Sequence, residues 1–520
     1  MQDRPVGADV KGAFALAVVL ALLAVAFDDG SIAWILAVPI ILLLLYAMVK
    51  APLRHSLMGF MLCAFILENP NEMPAGGMWK SPLFSLGAMM LTHMNNHAGQ
   101  SWLFFSGLDV LLGFLIIIAW HRHSTGSRID GVDRVPAPKI LKTLALLSLG
   151  GVLYCWIWGV LRGGDTKVIF WQAEKIFYLP IFYLLFAQAL RGTKDYVALG
   201  RVVLIAACVR SLLAAYVMNW ADIKGGDVPA HATSHHDSIL FACAAIILVS
   251  MLIHRGARPN SVRVALVVVP ILVWGMISNN RRMVWVQIAL VLLTLYFVMP
   301  PTLVKRKIKK IGLALSPLAL IYTVVGWRSN ASMFKPVATL RSVVEPATDM
   351  STMTRDIENY CITQTIRQSP IMGSGYGHGY LELIPLPPMP HPLERYLPHN
   401  SLLGLWMSAG AVGYVMITLL WAAGVYFGVR AYRMATKPLD RAIAMVSFGA
   451  VLIYLIQCYG DVGLGAWAGV YTVAPALAVA GKLAVSTGAM AKPSPKEPQK
   501  VEPQVERNAQ RPGGAERASA

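Results

Sequence analysis

Charge is scarce in this sequence: 14% of its 520 residues are Asp, Glu, Lys or Arg, against 56% hydrophobic, and the mean hydropathy is +0.57. A water-soluble fold needs polar side chains to cover its surface, so the shortage excludes an ordinary soluble globule. The sequence also lacks the apolar–polar alternation over about ten residues that marks a strand of a transmembrane β-barrel. Its six cysteines (Cys63, Cys155, Cys208, Cys243, Cys361 and Cys458) form no CxxC and no Cys/His spacing of a zinc site. Four fall in apolar runs, where a thiol behaves as a small hydrophobe; Cys361 with Cys458 is the one candidate disulfide. No small-residue cleavage site precedes Asp28 and Asp29, so the first apolar run, 12–27, reads as a retained helix rather than a signal peptide. No internal repeat stands out, which argues against an inverted-repeat transporter.

What is present is a series of apolar runs near the length that crosses a hydrocarbon layer of about 30 Å as a helix. The expected fold is an all-α polytopic membrane protein with about 14 spans: 12–27, 31–49, 54–68, 102–120, 140–161, 168–190, 196–217, 237–254, 262–279, 283–299, 309–326, 401–428, 441–457 and 463–481. The formal charge of +18 does not signal nucleic acid, because the basic residues sit in short clusters between apolar runs. With the N-terminus in the cytoplasm, the short inner connections hold 22 Lys and Arg and the short outer ones hold 6. That asymmetry places both termini in the cytoplasm.

Four regions follow: an N-terminal transmembrane bundle at 1–326, a periplasmic loop containing short helices at 327–400, C-terminal membrane helices at 401–482, and a disordered Pro-, Glu- and Ala-rich tail at 483–520. Most of the extramembrane polar chemistry lies in the loop.

Arg281 and Arg282, in ISNNRRMVWVQ, stand at an outer turn where basic residues are disfavoured. Two guanidiniums there make an anion site, since each offers a planar fork to phosphate oxygens; snorkelling toward lipid headgroups is the alternative. In STMTRDIENYCITQTIRQSP, Ser351 or Thr352 can cap a helix running to Gln368 and stopping before Pro370. Arg355 near its start is a candidate phosphate or sugar ligand, or the local partner of Glu358 at i+3. The following PIMGSGYGHGY carries glycines at 373, 375, 377 and 379 that allow tight turns and close approach to a ligand, but not the Lys-Ser/Thr of a Walker A loop. His399 precedes Asn400 at the start of a membrane helix, whose N-terminal partial charge favours a neutral imidazole able to take a proton from a sugar hydroxyl; capping is its other reading. HATSHHDS (residues 231–238) fits a capped helix start better than a metal site. Glu174, Lys175 and Arg210 are the ionisable groups farthest from water, and such groups often line a cavity.

Taken in order, the outer Arg after an Asn-Asn turn, the large outer loop, R-x(11)-R-x-x-P-x-x-G-x-G from Arg355 through Arg367 to Gly373 and Gly375, and the final His399-Asn400 resemble the O-antigen ligase and Wzy-type polymerase family over residues 265–425. The resemblance implies a metal-independent glycosyltransferase, without cofactor, that moves a glycan from undecaprenyl pyrophosphate to a glycan or lipid acceptor at the periplasmic face. It carries catalytic roles to His399, Arg355 and one or both of Arg281 and Arg282. The residues themselves add Arg210, Asn400, Arg367, Gly373 and Gly375 as expected substrate contacts. It also implies membrane lipid, a flippase and a chain-length regulator as partners, and no nucleic acid. A protein O-glycosyltransferase shares the motifs; a transporter or flippase of lipid-linked or anionic substrates is the alternative of another class.

Overall fold

The computed structural model describes residues 7–26, 31–67, 81–93, 105–125, 128–130, 135–223, 231–254, 261–329, 331, 334–345, 350–386 and 395–490. The tail from residue 491, residues 387–394 of the Pro-rich insert and the connection at 224–230 lie outside these.

Among the described residues, every extended regular element is a helix. In chain order these are α1 (Ala8–Ala26), α2 (Ser31–Lys50), α3 (Leu53–Ile66), α4 (Phe84–Leu91), α5 (Gly107–Ser124), α6 (Lys139–Leu161), α7 (Thr166–Ala189), α8 (Thr193–Ile223) and α9 (Asp237–His254). Then follow α10 (Ser261–Asn279), α11 (Arg282–Val298), α12 (Leu303–Gly326), α13 (Lys335–Val344), α14 (Met350–Gln368), α15 (Ser401–Met434), α16 (Pro438–Gly460) and α17 (Trp467–Ser486). Each of the fourteen apolar runs falls on one of them. Among the described residues, ten helices are long and apolar enough to cross a membrane, and three more apolar helices are shorter (35–50, 53–66 and 282–298). α4 was not foreseen, because its apolar run is too short to read as a span. α14 ends at Gln368 as expected, but Ser351 and Thr352 lie inside it rather than at its cap.

Polar side chains set several of the boundaries. Asp165 accepts the N–H groups of Lys167 (2.8 Å) and Val168 (3.2 Å) at the start of α7, and Ser106 with Asp109 forms a reciprocal capping box on α5. Of the helices long enough to cross a membrane, α17 is the most enclosed, with nearly every residue buried, while on α12 only Gly326 is buried. At 24 residues α12 is about 36 Å long, and its apolar side chains are exposed along that whole length. A surface of that kind is stable in lipid and not in water.

The connections sort to two ends of the bundle. At one end the 128–130 turn ties three helices: Asp130 accepts from the Leu53 N–H (2.6 Å) and from Arg122 (3.1 Å), while Arg191 donates to its carbonyl (3.0 Å). Arg122 also donates to the carbonyls of Val49 (2.7 Å) and Ala51 (2.8 Å), closing the end of α2. At the other end meet the α6–α7 turn, residues 231–236, the Asn279–Arg281 turn, residues 369–386 and 395–400, and the α16–α17 connection at Asp461. These are the connections that the charge count assigns to the outer side.

All six cysteines are free. Cys361 packs with Ile362, Tyr380 and Met407, whereas Cys458 belongs to the main core. No Cys361–Cys458 disulfide forms, since the two thiols fill different apolar clusters. Glu174 and Lys175 pair with each other inside the bundle, with His93 4.0 Å from the carboxylate and the Trp467 ring 5.1 Å from the ammonium.

Candidate active site

The scaffold is a splice between α14 and α15. α15 breaks at Gly410, whose φ of +59° is left-handed, and the break frees backbone groups that α-helices otherwise satisfy internally. The segment after α14 takes them up. Ser374 N–H donates to the Met407 carbonyl and Gly375 N–H to that of Ser408, each at 2.9 Å. In return Ala411 and Val412 donate to the carbonyls of Pro370 (2.9 Å) and Ile371 (3.2 Å). Gly373, at φ +75°, passes so close that a Cβ there would lie 2.4 Å from Gly410 N and from the Ser408 carbonyl. Trp158 Nε1 (3.1 Å) and Arg162 Nη1 (3.2 Å) donate to the Gly373 carbonyl, so α6 is fastened to the same splice. Gly373→Ala therefore carries about 1–3 kcal/mol of backbone strain alone, with a backbone clash added. We expect it to lower the melting temperature of the detergent-purified protein clearly, read by a thermal shift assay, whereas Gly312→Ala, with open space at its Cβ, should not.

The splice sets Arg355 and Glu358 of α14 against the start of α15. Glu358 is 1% exposed, and its Oε2 accepts both the backbone N–H and Nδ1 of His399, each at 3.1 Å. One carboxylate thus fixes both the backbone and the ring. With Nδ1–H given to Glu358, Nε2 is the basic nitrogen, and it makes no hydrogen bond among the described residues. The Glu358 hydrogen bond raises the His399 pKa above the usual 6.5; burial opposes it, and the charges of Glu358 and Asp461 add to it. The helix N-terminus alone would have favoured a neutral ring, but the carboxylate outweighs that partial charge.

A second chain of contacts runs through the Asn-Asn turn. Asn280 takes a left-handed φ of +51°, a conformation asparagine tolerates. Arg281 follows as the cap of α11. Its Nη1 lies 2.7 Å from His235 Nε2, and His235 Nδ1 lies 2.5 Å from Asp461 Oδ2. Asp461 is 3% exposed; it also accepts the Val462 N–H at 2.9 Å, and its carbonyl accepts the Ser401 hydroxyl at 3.2 Å. Burial would raise the Asp461 carboxyl, but the His235 hydrogen bond and charge, with Arg355 beyond, hold it below the usual carboxylate range. Burial lowers Arg281 to about 10, against Asp461 and Asp237, which raise it, and with Arg355, which lowers it further.

Arg355 ties the two chains together, because its charge acts on His399, on Asp461 and on Arg281. The Nε atoms of Arg281 and Arg355 are both buried without a hydrogen-bond partner among the described residues. Buried guanidinium donors left unmatched are costly, so two of them, near enough that the Arg355 charge lowers the Arg281 pKa, describe a place that an anion completes.

The remaining sequence candidates take other positions. Asn400 caps α15, its Oδ1 accepting the Leu403 N–H at 3.2 Å. Arg210 is buried in α8 and grips Asp237 with two hydrogen bonds of 3.0 and 2.6 Å, fixing the start of α9 beside His235 and His236. Arg282 is exposed at the first residue of α11. Arg367 is exposed and donates to Gln364 at 3.2 Å; twelve residues on from Arg355, it points about 120° away around the helix. Gly373 and Gly375 are held against backbone at the splice. Asp461 and His235 were not singled out for this role by the sequence, and Glu358 was seen only as a partner for Arg355. The signal for Asp461 was slight: a lone acid in an outer connection otherwise made of glycine and apolar residues.

Residues 271–418 match the O-antigen ligase family, which agrees with the resemblance carried by the sequence motifs. That stretch contains Arg281, Arg355, Glu358 and His399 but not His235 or Asp461. No curated protein matches the chain.

Proposed function

We propose that this O-antigen ligase-type membrane protein transfers or polymerises saccharide units carried on undecaprenyl pyrophosphate, at the periplasmic end of its helix bundle. The observation that carries the reading is that Arg281 and Arg355 each keep a buried Nε without a partner among the described residues, while His399 is held by a buried carboxylate. The asymmetry of 22 basic residues on inner connections against 6 on outer ones supports the orientation.

The chemistry follows from these groups. The donor is already activated, since its anomeric carbon bears a pyrophosphate leaving group. Arg281 and Arg355 bind that group and stabilise the charge it gains as the C–O bond breaks. His399 Nε2 takes the proton of the acceptor hydroxyl while the oxygen forms the new glycosidic bond. Glu358 orients the ring and stabilises the imidazolium. A single displacement inverts the anomeric carbon, and the lipid pyrophosphate departs with the electron pair. Arg210, through Asp237, and Asn400, through the start of α15, hold the frame. Ligase and polymerase differ in whether the acceptor hydroxyl sits on a finished lipid core or on another repeat unit.

The test is a reconstituted assay with purified full-length protein, a lipid-pyrophosphate-linked repeat unit and candidate acceptors. The reading expects free lipid pyrophosphate and a lengthened or capped acceptor; donor left intact with every acceptor offered overturns it. The same assay reads the pH dependence. Activity needs unprotonated His399, and Glu358 raises its pKa, so the acid limb should lie above the ordinary 6.5. Glu358→Gln removes the raising charge, and the limb should move to lower pH with a reduced maximal rate. A limb that stays in place in Glu358→Gln would show that another group sets it.

A further inference from the structure

We propose that His235 is a positioning residue for the donor site: anchored by Asp461, it presents a neutral ring nitrogen to Arg281 and holds that guanidinium in place for the donor pyrophosphate. The inference rests on the reading of Arg281 as a pyrophosphate ligand.

The geometry admits one consistent assignment of protons. Asp461, buried and ionised, accepts, so Nδ1 of His235 carries the hydrogen across the 2.5 Å contact. Nε2 then holds the lone pair, and Arg281 Nη1 donates to it at 2.7 Å. A histidine is the natural side chain for this place because it donates at one end and accepts at the other, over a fixed ring. Without it, Arg281 would have to meet Asp461 directly. A guanidinium neutralised by a buried carboxylate offers less to an incoming pyrophosphate than one held by a neutral ring.

The arrangement has a built-in failure at low pH. Protonation of His235 puts an N–H on Nε2, so two donors and two positive charges face each other across the Arg281 contact. The groups around the ring are Arg281 from the start of α11, Asp461 from the α16–α17 connection, and His231 and His236 from its own segment. Burial lowers the His235 pKa below 6.5, with Asp461 opposing and Arg281 and His236 assisting. The ring is therefore neutral at pH 7, and its protonation falls at lower pH than that of His399. The acid limb of turnover belongs to His399, and the His235 effect is read in donor binding.

The experiment measures binding of farnesyl pyrophosphate, as a short-chain probe of the donor's lipid pyrophosphate, to the detergent-purified full chain between pH 5 and 8. His235→Leu should weaken binding at pH 7.5 by about tenfold or more, the worth of one hydrogen bond to a charged group. Asp461→Asn should weaken it likewise by loosening the anchor. His235→Gln keeps a donor and an acceptor but cannot titrate, so it should bind within about threefold of wild type. It should also lose the wild-type weakening at the acid end of that range. Melting temperatures near the wild-type value separate these effects from loss of fold. If His235→Leu binds as wild type while Arg281→Ala does not, the positioning role is overturned and the donor site stands. If Arg281→Ala and Arg355→Ala also bind as wild type, the donor assignment falls, and the inference falls with it.

Discussion

His399→Ala should lower the rate of glycan transfer by about 10²–10⁴-fold, the range that a well-placed general base contributes, while leaving binding of the donor nearly unchanged. The effect is expected to be large because, among the described residues, the two buried carboxylates nearest His399 are already engaged. Glu358 already spends its Oε2 on the backbone N–H and Nδ1 of His399, and the Asp461 carboxylate is engaged by His235 and the Val462 N–H. Asp461 is also held below the usual carboxylate range, which makes it a poor base. The variant should fold, because His399 is part-exposed, with 25% of its side chain open to solvent, and the α15 cap is Asn400. A loss of rate confined to kcat, in assays saturating for donor, supports the base; a loss seen only in KM for the donor points to a binding role instead.

Arg355→Ala and Arg281→Ala form the second prediction, each expected to cost about 10²–10³-fold in transfer rate through lost stabilisation of the leaving pyrophosphate. Their costs should not multiply in the double variant, because both serve one leaving group. Lysine at either position restores the charge but not the planar fork, so Arg355→Lys and Arg281→Lys should recover only part of the activity. Arg282→Ala and Arg367→Ala, both exposed, should stay within about threefold of wild type. Steady-state rates with a defined lipid-linked donor decide this, and equal losses across all four positions would mean that general surface charge, not the Arg281–Arg355 pair, binds the anion.

How much of this was legible in the sequence depends on how local each signal is. The apolar runs are local, and each fell on a helix. The end of α14 before Pro370 is local as well, since proline forbids the helix to continue. Arg281, Arg355 and His399 were legible because each sits at a punctuated boundary: an Asn-Asn turn, a helix start, a Pro-His-Asn cap. The glycines were legible as a cluster, but not their task, because Gly373 answers to Gly410, 37 positions away in the numbering. His235 and Asp461 were illegible as a pair for the same reason. They stand at the ends of α9 and α16 and meet only because the bundle brings those ends together. Glu358 misled in an instructive way: the i+3 spacing from Arg355 suggested a local ion pair worth a few tenths of a kcal/mol, whereas its buried Oε2 is committed to His399 across the splice.

The most direct test of the central claim is the length distribution of lipid-linked and surface glycans in a strain that lacks this protein, complemented in turn with wild type, His399→Ala, Arg355→Ala and Arg281→Ala. The account predicts that deletion either leaves single repeat units or strands long chains on their lipid carrier. Wild type should restore the normal distribution, and none of the three variants should do so at matched expression. Single units would identify a polymerase, and stranded chains a ligase. An unchanged glycan pattern on deletion, or full rescue by all three variants, would contradict the account.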